Sequence, residues 1–491
     1  MHNPTIAIAK PDRFFIDGEW AVPSSDAKID VINSSNEEVL FSVAEAQEAD
    51  ASRAVAAARR AFDDGPWPRM THAERAGFLT AIAREMEVRA GDLADLWTVE
   101  SGIVHATAAR IVSTLSGAFD YYADLANSFP FFERKTPRAG NVGLLVREPV
   151  GVVVAIVPWN APVSLMAYKC APALLAGCTI VLKPSPEAPG AAYVMAEICE
   201  KVGLPAGVVN VLTADRDVSE LLVRNPDVDK VTFTGSTAAG RRIASICGDR
   251  IARCTLELGG KSAAVILDDY DLETAARSIS ESAPFISGQV CSSLTRIIVS
   301  SDRHDALVDA LGASFGGIRL GDPFDAQVQM GPLASARQRD RVEHYIAQGK
   351  ADGAKLATGG QRPSHLNRGY FIEPTVFADV RNDAVIAREE IFGPVVSVIR
   401  AADEGEALKI ANDSPYGLNA SVFTNDVERA FSAARRLRSG TVGHNAFRTD
   451  FSMAFGGFKQ SGIGREGGTE GLLPFLETKT VILDGDPSCP A

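Results

Sequence analysis

At 491 residues the chain exceeds what one hydrophobic core organises, so two or three domains are expected. Hydrophobic residues are 46% and charged residues 23%, an ordinary balance for a soluble globular protein. The net charge of −13 argues against general nucleic-acid or anionic-membrane binding, which need a basic face; a local basic pocket for a small anion stays open.

The seven cysteines stand at 170, 178, 199, 247, 254, 291 and 489. No pair has CxxC spacing and no nearby histidines complete a zinc pattern, so no metal is expected. A disulfide framework does not suit a chain this long, and the reading is a reducing, cytoplasmic compartment. Met1 to Lys10 lacks an apolar stretch of signal-peptide length. The most apolar region, Pro149 to Leu182, is broken by Pro158, Asn160, Pro162 and Lys169. It reads as buried strands and a helix and is too interrupted for a membrane span.

In chain order, residues 12–20 suggest a short hairpin. The alanine-rich run Ala51–Phe62 is helical in pattern, and Thr71 with Glu74 forms a capping box before an amphipathic stretch that ends near Ala90. More helix follows to about Ala126, so the first quarter is expected to be mainly helical. Residues 141–148 read as a strand. Then Val150–Val157, Thr179–Leu182, Val208–Val211, Lys230–Phe233 and Ala263–Ile266 are β-rich runs, separated by helical segments such as Ala191–Val202 and Val218–Arg224. This alternation predicts βαβ units and a parallel sheet with ligands at the strand ends. A second alternating region, from Thr295 to about Thr424, predicts a second α/β domain beyond a boundary near 260. Its strands are Arg296–Val299, Val395–Ile399 and Ser421–Phe423; its helices are Ala306–Phe315, Ala336–Ala351 and Ala407–Ala411. The last segment, Glu477–Leu483, looks like a strand with no local partner, of the kind that pairs elsewhere, including in another subunit.

Several strings are candidates for chemistry. Cys291 follows a Gly-Gln turn signal in Phe285–Ser293, among small polar residues where a ligand can reach its sulfur; a buried structural thiol is the ordinary alternative. Pro158-Trp159-Asn160 follows an apolar strand, where an Asn amide can donate to an oxyanion, although alone it reads more simply as a loop cap. Lys183-Pro184-Ser185 follows another strand, and its lysine can reach a ribose or phosphate or merely be solvated. Phe233-Thr234-Gly235-Ser236 enters a helix through a small-residue turn that offers free N–H groups to a phosphate. Glu257, between Leu256 and Leu258 and beside Gly259-Gly260-Lys261, sits in surroundings that raise a carboxyl pKa, as a general base requires; a salt-bridged structural acid is the alternative. The GxGxxG string Gly462–Gly467 lacks the preceding strand and following helix of a dinucleotide loop.

In this order, and with Glu389-Glu390-Ile391-Phe392-Gly393-Pro394 and Phe455-Gly456-Gly457 added, the set resembles the aldehyde dehydrogenase superfamily over nearly the whole chain. The resemblance implies an α/β fold in three parts. A Rossmann-like cofactor domain takes residues 1–130 and 150–260, a catalytic α/β domain takes 261–460, and a small β oligomerisation element takes 131–149 and 475–491. It implies a homodimer or homotetramer whose terminal strand crosses to a neighbour. It also implies NAD or NADP as cofactor and a small-molecule aldehyde as substrate. Cys291 is then the nucleophile, Asn160 and the Cys291 N–H hold the oxyanion, and Glu257 activates water. Lys169 and Glu466 match a proton relay behind Glu257, and a structural ion pair serves equally well. Pro158, Trp159, Lys183, Ser185, Gly235, Ser236, Leu258, Gly259, Glu390 and Phe392 match cofactor contacts.

Departures from the family pattern refine these expectations. Pro186 displaces Glu187 from the place of the acid that binds the ribose hydroxyls, which predicts NAD with tolerance of NADP. Ala161 replaces a bulky aromatic and Tyr168 a tryptophan. With Leu165, Phe285, Phe447 and Phe451 they suggest a tunnel for a bulky apolar aldehyde: aromatic, terpenoid or long-chain. Arg448 at the tunnel mouth can instead select a carboxylate-bearing semialdehyde, but Asp450 is expected to neutralise it. A CoA-acylating relative is the competing enzyme class, opposed by Glu257. A non-catalytic structural relative is opposed by intact Cys291, Glu257 and Asn160.

Overall fold

Val152–Val157 is apolar and buried at every position, as a strand covered on both faces must be. In the computed structural model, which describes residues 6–487, it lies inside an eight-stranded sheet. The order is Gly462–Ile463, Arg253–Glu257, Lys230–Thr234, Val152–Val157, Thr179–Pro184, Val209–Val211, Phe14–Ile16, Glu19–Ala21. The five strands from Arg253–Glu257 to Val209–Val211 run parallel, and antiparallel strands close both edges. Val153, Ala155 and Val157 face helices that include Pro162–Ala176, while Val152, Val154 and Ile156 face a second core containing Ile243 and Ile246 of the helix Thr237–Asp249.

A second sheet has seven strands in the order Lys355–Thr358, Thr375–Ala378, Val395–Ala401, Leu294–Ser300, Ser262–Ile266, Asn419–Phe423, Thr441–His444. All but the first pairing are parallel. One short turn, Leu258-Gly259-Gly260-Lys261, carries the chain from the end of Arg253–Glu257 into Ser262–Ile266. The carboxyl ends of the first sheet's strands therefore meet the amino ends of the second sheet's strands. This junction positions the site.

The first quarter is mainly helical as expected, with Glu48–Asp63, His72–Val88, Ala90–Ser101 and His105–Leu125, and the hairpin expected at residues 12–20 forms from Phe14–Ile16 and Glu19–Ala21. A second hairpin, Lys28–Ile32 with Val39–Ala44, was not expected; its strands are short and partly exposed. The terminal strand, expected to pair away from its own neighbourhood, finds a remote partner within the chain. Leu476–Leu483 pairs antiparallel with Val142–Pro149 along eight residues, and Phe132–Lys135 completes this third sheet. That pairing joins segments far apart in the sequence. Cys489, the tail after residue 487 and Met1–Thr5 lie outside the described residues. Among the described residues no helix is long and apolar enough to cross a membrane.

Candidate active site

The Cys291 loop is built from conformations most residues avoid. Ile286, Ser287 and Gly288 take φ values of 46°, 53° and 74° in succession. Left-handed backbone is costly for a β-branched residue, and it persists here because side chains over-determine it. The Ser287 hydroxyl lies 2.8 Å from the carbonyl oxygen of Gly331 and 3.0 Å from that of Pro332. Buried Gln289 accepts from the Ala334 N–H at 2.9 Å and donates to Ile286 O at 3.0 Å. At Gly288 a Cβ would lie 2.3 Å from the Gly393 carbonyl carbon, so only glycine lets the 285–293 and 390–394 loops pack this closely. Cys291 emerges half-buried. Burial, then the charges of Glu390 and Glu257, push its thiol up to about 12, against a partial opposing pull from the N–H groups of Ser292 and Cys291.

Asn160 is fixed from three sides. Its side-chain amide donates to Gln289 O at 2.9 Å, two residues from the sulfur. Its own carbonyl accepts from the Trp97 indole at 2.8 Å, and the Trp159 carbonyl accepts from the Ser101 hydroxyl at 2.5 Å. The helix Ala90–Ser101 thus holds the turn that follows Val152–Val157. Asn160 and Cys291 both line a cavity of about 490 Å³, together with Glu257, Glu390, Phe392, Trp159 and Ser236.

Glu257 ends the strand Arg253–Glu257, and neither of its buried oxygens has a hydrogen-bond partner. Burial first, then the neighbouring Glu466 carboxylate, raise it well above the usual carboxyl range; Lys169 and Arg465 oppose this. Lys169, on the helix Pro162–Ala176, forms a buried ion pair with Glu466 and reaches Thr232 Oγ1 at 3.3 Å. Glu466 comes from the rejected GxGxxG string. That string is an edge strand against Arg253–Glu257, followed by a turn that delivers the acid under Lys169.

A second cavity of about 430 Å³ adjoins the first, sharing Arg216 and Ser236. Ile156, Val223, Phe233, Ile243 and Ile246 make it an apolar slot, with Lys183 among its lining residues. Ser236 caps the helix Thr237–Asp249 by accepting from Ala239 N, and the turn Gly235-Ser236 opens that helix toward the shared wall. An apolar slot, a helix N-terminus and a polar chamber holding Cys291 make a donor set that fits a dinucleotide: base, phosphates and reacting ring in sequence. Buried Lys183 is lowered to about 8 by desolvation, against the pull of Glu187 and Asp215. The Ser185 hydroxyl donates to Glu187, which also takes Arg337 at 2.6 Å; Ser185 itself lines neither cavity. The acid displaced by Pro186 in sequence therefore still faces Lys183 in space. Phe392, at φ 62°, sets its ring edge-on to Trp159 at 5.3 Å. Gly259 leaves room for the Glu390 carboxylate, which accepts from Gly260 N at 3.2 Å and is raised to about 7 by burial.

The expected tunnel residues do not all converge. Ala161, Leu165, Tyr168, Phe285 and Phe451 pack with the first sheet's core, and Tyr168, Phe451 and Phe455 form a continuous stack with ring spacings of 4.5 and 4.3 Å. Phe447 packs against the second sheet instead. None of the seven lines either cavity once Arg448 is added to these six. Arg448 is exposed and has no ion pair among the described residues. The expected neutralisation by Asp450 is a correction: that carboxylate instead accepts from the backbone and hydroxyl of Ser452 and forms no ion pair with Arg448. Of metal-ligand type, His304, Asp305 and Asp379 cluster, and Arg400 already pairs with both acids.

The family model described as "Aldehyde dehydrogenase family" matches residues 20–481. The chain belongs to the aldehyde dehydrogenase family. Among its relatives is a geranial dehydrogenase of Castellaniella defragrans, 44% identical over 96% of this chain and 98% of that one. A 3-succinoylsemialdehyde-pyridine dehydrogenase of a Pseudomonas species is 42% identical over 96% of this chain and 98% of its own length. A crystal structure of a Mycobacterium tuberculosis aldehyde dehydrogenase complexed with NAD+ is similar with a TM-score of 0.93 and 44% identity, covering 96% of this chain and 98% of that one.

Within this family fold, the sequence reading passed over Trp97 and Ser101, which fix the turn carrying Asn160 through bonds between segments remote in sequence. Ser287 and Gln289 lie in the Cys291 stretch itself, but their bonds to Gly331, Pro332 and Ala334 were not legible there.

Proposed function

We propose that this aldehyde dehydrogenase oxidises a bulky apolar aldehyde to its carboxylic acid, with NAD preferred and NADP tolerated. The observation that carries the reading is the shared cavity that gathers Cys291, Asn160 and Glu257 beside Glu390 and Phe392. The Cys291 thiolate adds to the aldehyde carbon, and the Asn160 amide and Cys291 N–H meet the oxyanion. NAD(P)+ supplies the hydride acceptor when bound. Glu257 then takes a proton from the water that cleaves the acyl–Cys291 thioester, and the Lys169–Glu466 pair stands ready to accept it. Pro158, Trp159, Lys183, Ser185, Gly235, Ser236, Leu258, Gly259, Glu390 and Phe392 hold the cofactor. Residues 1–130 and 150–260 are the cofactor domain, 261–460 the catalytic domain, and the third sheet the oligomerisation element of a dimer or tetramer.

Glu187 beside Lys183 supports NAD as the preferred form, since a 2′-phosphate would meet its carboxylate. NAD+ in the M. tuberculosis homologue supports the same choice. The aromatic stack Tyr168–Phe451–Phe455 and the geranial dehydrogenase relative support an apolar substrate. A second reading, a carboxylate-bearing semialdehyde, is favoured by exposed Arg448, which has no ion pair among the described residues. A panel of aldehydes run with both cofactors, and with and without CoA, tests the set. Geranial or octanal should exceed acetaldehyde in kcat/KM. A semialdehyde that outruns both, and loses its advantage in Arg448→Ala, would replace the first reading. Cys291→Ala, folded, should lose turnover by on the order of 10⁴-fold or more.

A further inference from the structure

Pro186 displaces Glu187 along the chain, yet in space Glu187 faces the Lys183 ammonium, as Asp215 does. A carboxylate there repels a 2′-phosphate. The displacement therefore does not by itself account for tolerance of NADP, and another group must compensate the charge.

Glu187 is not a free acid. One of its oxygens accepts from the Ser185 hydroxyl, and the other accepts from Arg337 Nη2 at 2.6 Å. Ser185 belongs to the same loop. Arg337 comes from the opposite side of the cleft, in the first turn of the helix Ala336–Ala351, which packs into the second sheet's core through Val342, Tyr345 and Ile346. The start of that helix is anchored. Gln338 donates to Phe392 O at 2.6 Å and to Ile391 O at 3.2 Å, and Arg341 donates to Glu390 O at 2.6 Å. From this fixed base Arg337 reaches back to the first sheet's side. It lines the cavity that holds Cys291, and Glu187 is its one ion-pair partner among the described residues.

The neighbouring cations are placed differently. Arg224 and Arg242 are both paired with Glu220, and buried Lys183 donates to Ala214 O at 3.3 Å. Arg216, on the wall shared by the two cavities, has no contact with Glu187. The Arg337 side chain is 74% exposed and that of Glu187 25%. So exposed a pair contributes little to stability, and the guanidinium gives up the carboxylate at small cost. A phosphate is the better partner for it, since a guanidinium meets phosphate oxygens with two parallel N–H bonds.

We propose that Arg337 is a specificity-determining residue for the cofactor: it compensates Glu187 and pairs with a phosphate on the adenosine ribose, so that a site whose acid favours NAD also accepts NADP. This rests on the reading of Lys183 and Glu187 as the ribose end of a dinucleotide site. For NAD, Glu187 keeps acceptor capacity for the ribose hydroxyls, because a carboxylate takes more than two donors. For NADP, Arg337 supplies the counter-charge.

The test is binding of ADP-ribose and of 2′-phospho-ADP-ribose to the full-length enzyme, measured by isothermal titration calorimetry. Neither fragment carries the nicotinamide, so no turnover intervenes. In Arg337→Ala the Kd of the 2′-phosphate form should rise about tenfold while that of ADP-ribose stays within about twofold. Arg337→Lys, which keeps the charge and loses the fork, should fall between. Glu187→Gln should tighten the 2′-phosphate form. Equal weakening of both fragments in Arg337→Ala, or no change in either, overturns the proposal and leaves the pair a tie between two domains. Loss of the 2′-phosphate form in Arg216→Ala but not in Arg337→Ala overturns it as well. The underlying reading fails separately, in the parental enzyme: binding of neither fragment would remove the ribose site, and this inference with it.

Discussion

The two sheets meet at the site from opposite ends. The first offers the carboxyl ends of its strands: Asn160 after Val157, Lys183 near the end of its strand, Ser236 after Thr234, and Glu257 as a last strand residue. The second offers amino ends: Cys291 before Leu294, and Glu390 and Phe392 before Val395. On the first sheet the functional side chains stand on regular backbone, and the cost lies in buried charge, with Glu257 unpartnered and Lys169 wholly enclosed. On the second the cost lies in the backbone, with left-handed Ile286, Ser287 and Phe392. The difference follows from where the groups sit. A strand end is already rigid and needs only its environment adjusted, whereas a loop entering a strand must be locked before its sulfur can be aimed.

That contrast can be broken by experiment. The largest effect concerns the thiol, which burial first, and then the carboxylates of both halves, push up to about 12. Iodoacetamide should alkylate Cys291 in the cofactor-free enzyme about a thousandfold faster at about pH 10 than at about pH 7, since only the thiolate reacts. Glu390→Gln removes one opposing charge and should speed the reaction near neutral pH; a rate flat across that range would show the field to be absent. Next, Asn160→Ala should lower kcat by about 10²–10³-fold with little change in thermal midpoint, as loss of an oxyanion donor does. A matching drop in stability would make Asn160 a structural residue.

Gly288→Ala probes the strained half. Its Cβ would collide with the backbone at Gly393, so unfolding in urea should show a loss of about 2 kcal/mol or more, together with weakened activity from the displaced loops. The equivalent insult to the regular half is milder. Trp97→Phe deletes the bond to the Asn160 carbonyl and should cost about 1 kcal/mol of stability and roughly tenfold in kcat. If Trp97→Phe proved the more damaging, the assignment of strain to the second sheet would be reversed.

Much of this was legible in the residues. The apolar run at Val152–Val157, the β-rich run at Lys230–Thr234, the capping box at Thr71 and Glu74, and the N-cap at Ser236 are local signals, and each element formed where its pattern pointed. The strand Arg253–Glu257 was less visible, because its alternation of charged and apolar residues resembles a surface strand. The hairpin Lys28–Ile32 with Val39–Ala44 was hidden for the same reason.

The sequence by itself determined the family and the double α/β pattern, and it singled out Cys291, Asn160 and Glu257 as the proposed reacting groups, because these depend on residue types at particular places along the chain. Tertiary structure decided what surrounds them. It brought Glu187 back to Lys183 despite Pro186, separated Asp450 from Arg448, gave Leu476–Leu483 its partner in Val142–Pro149, and buried a polar strand face beneath Lys169 and Glu466. Each of these joins segments with no local signal of one another. Whether a charge is paired, exposed or enclosed is a property of the packed molecule, and the chemistry at Cys291 depends on that packing.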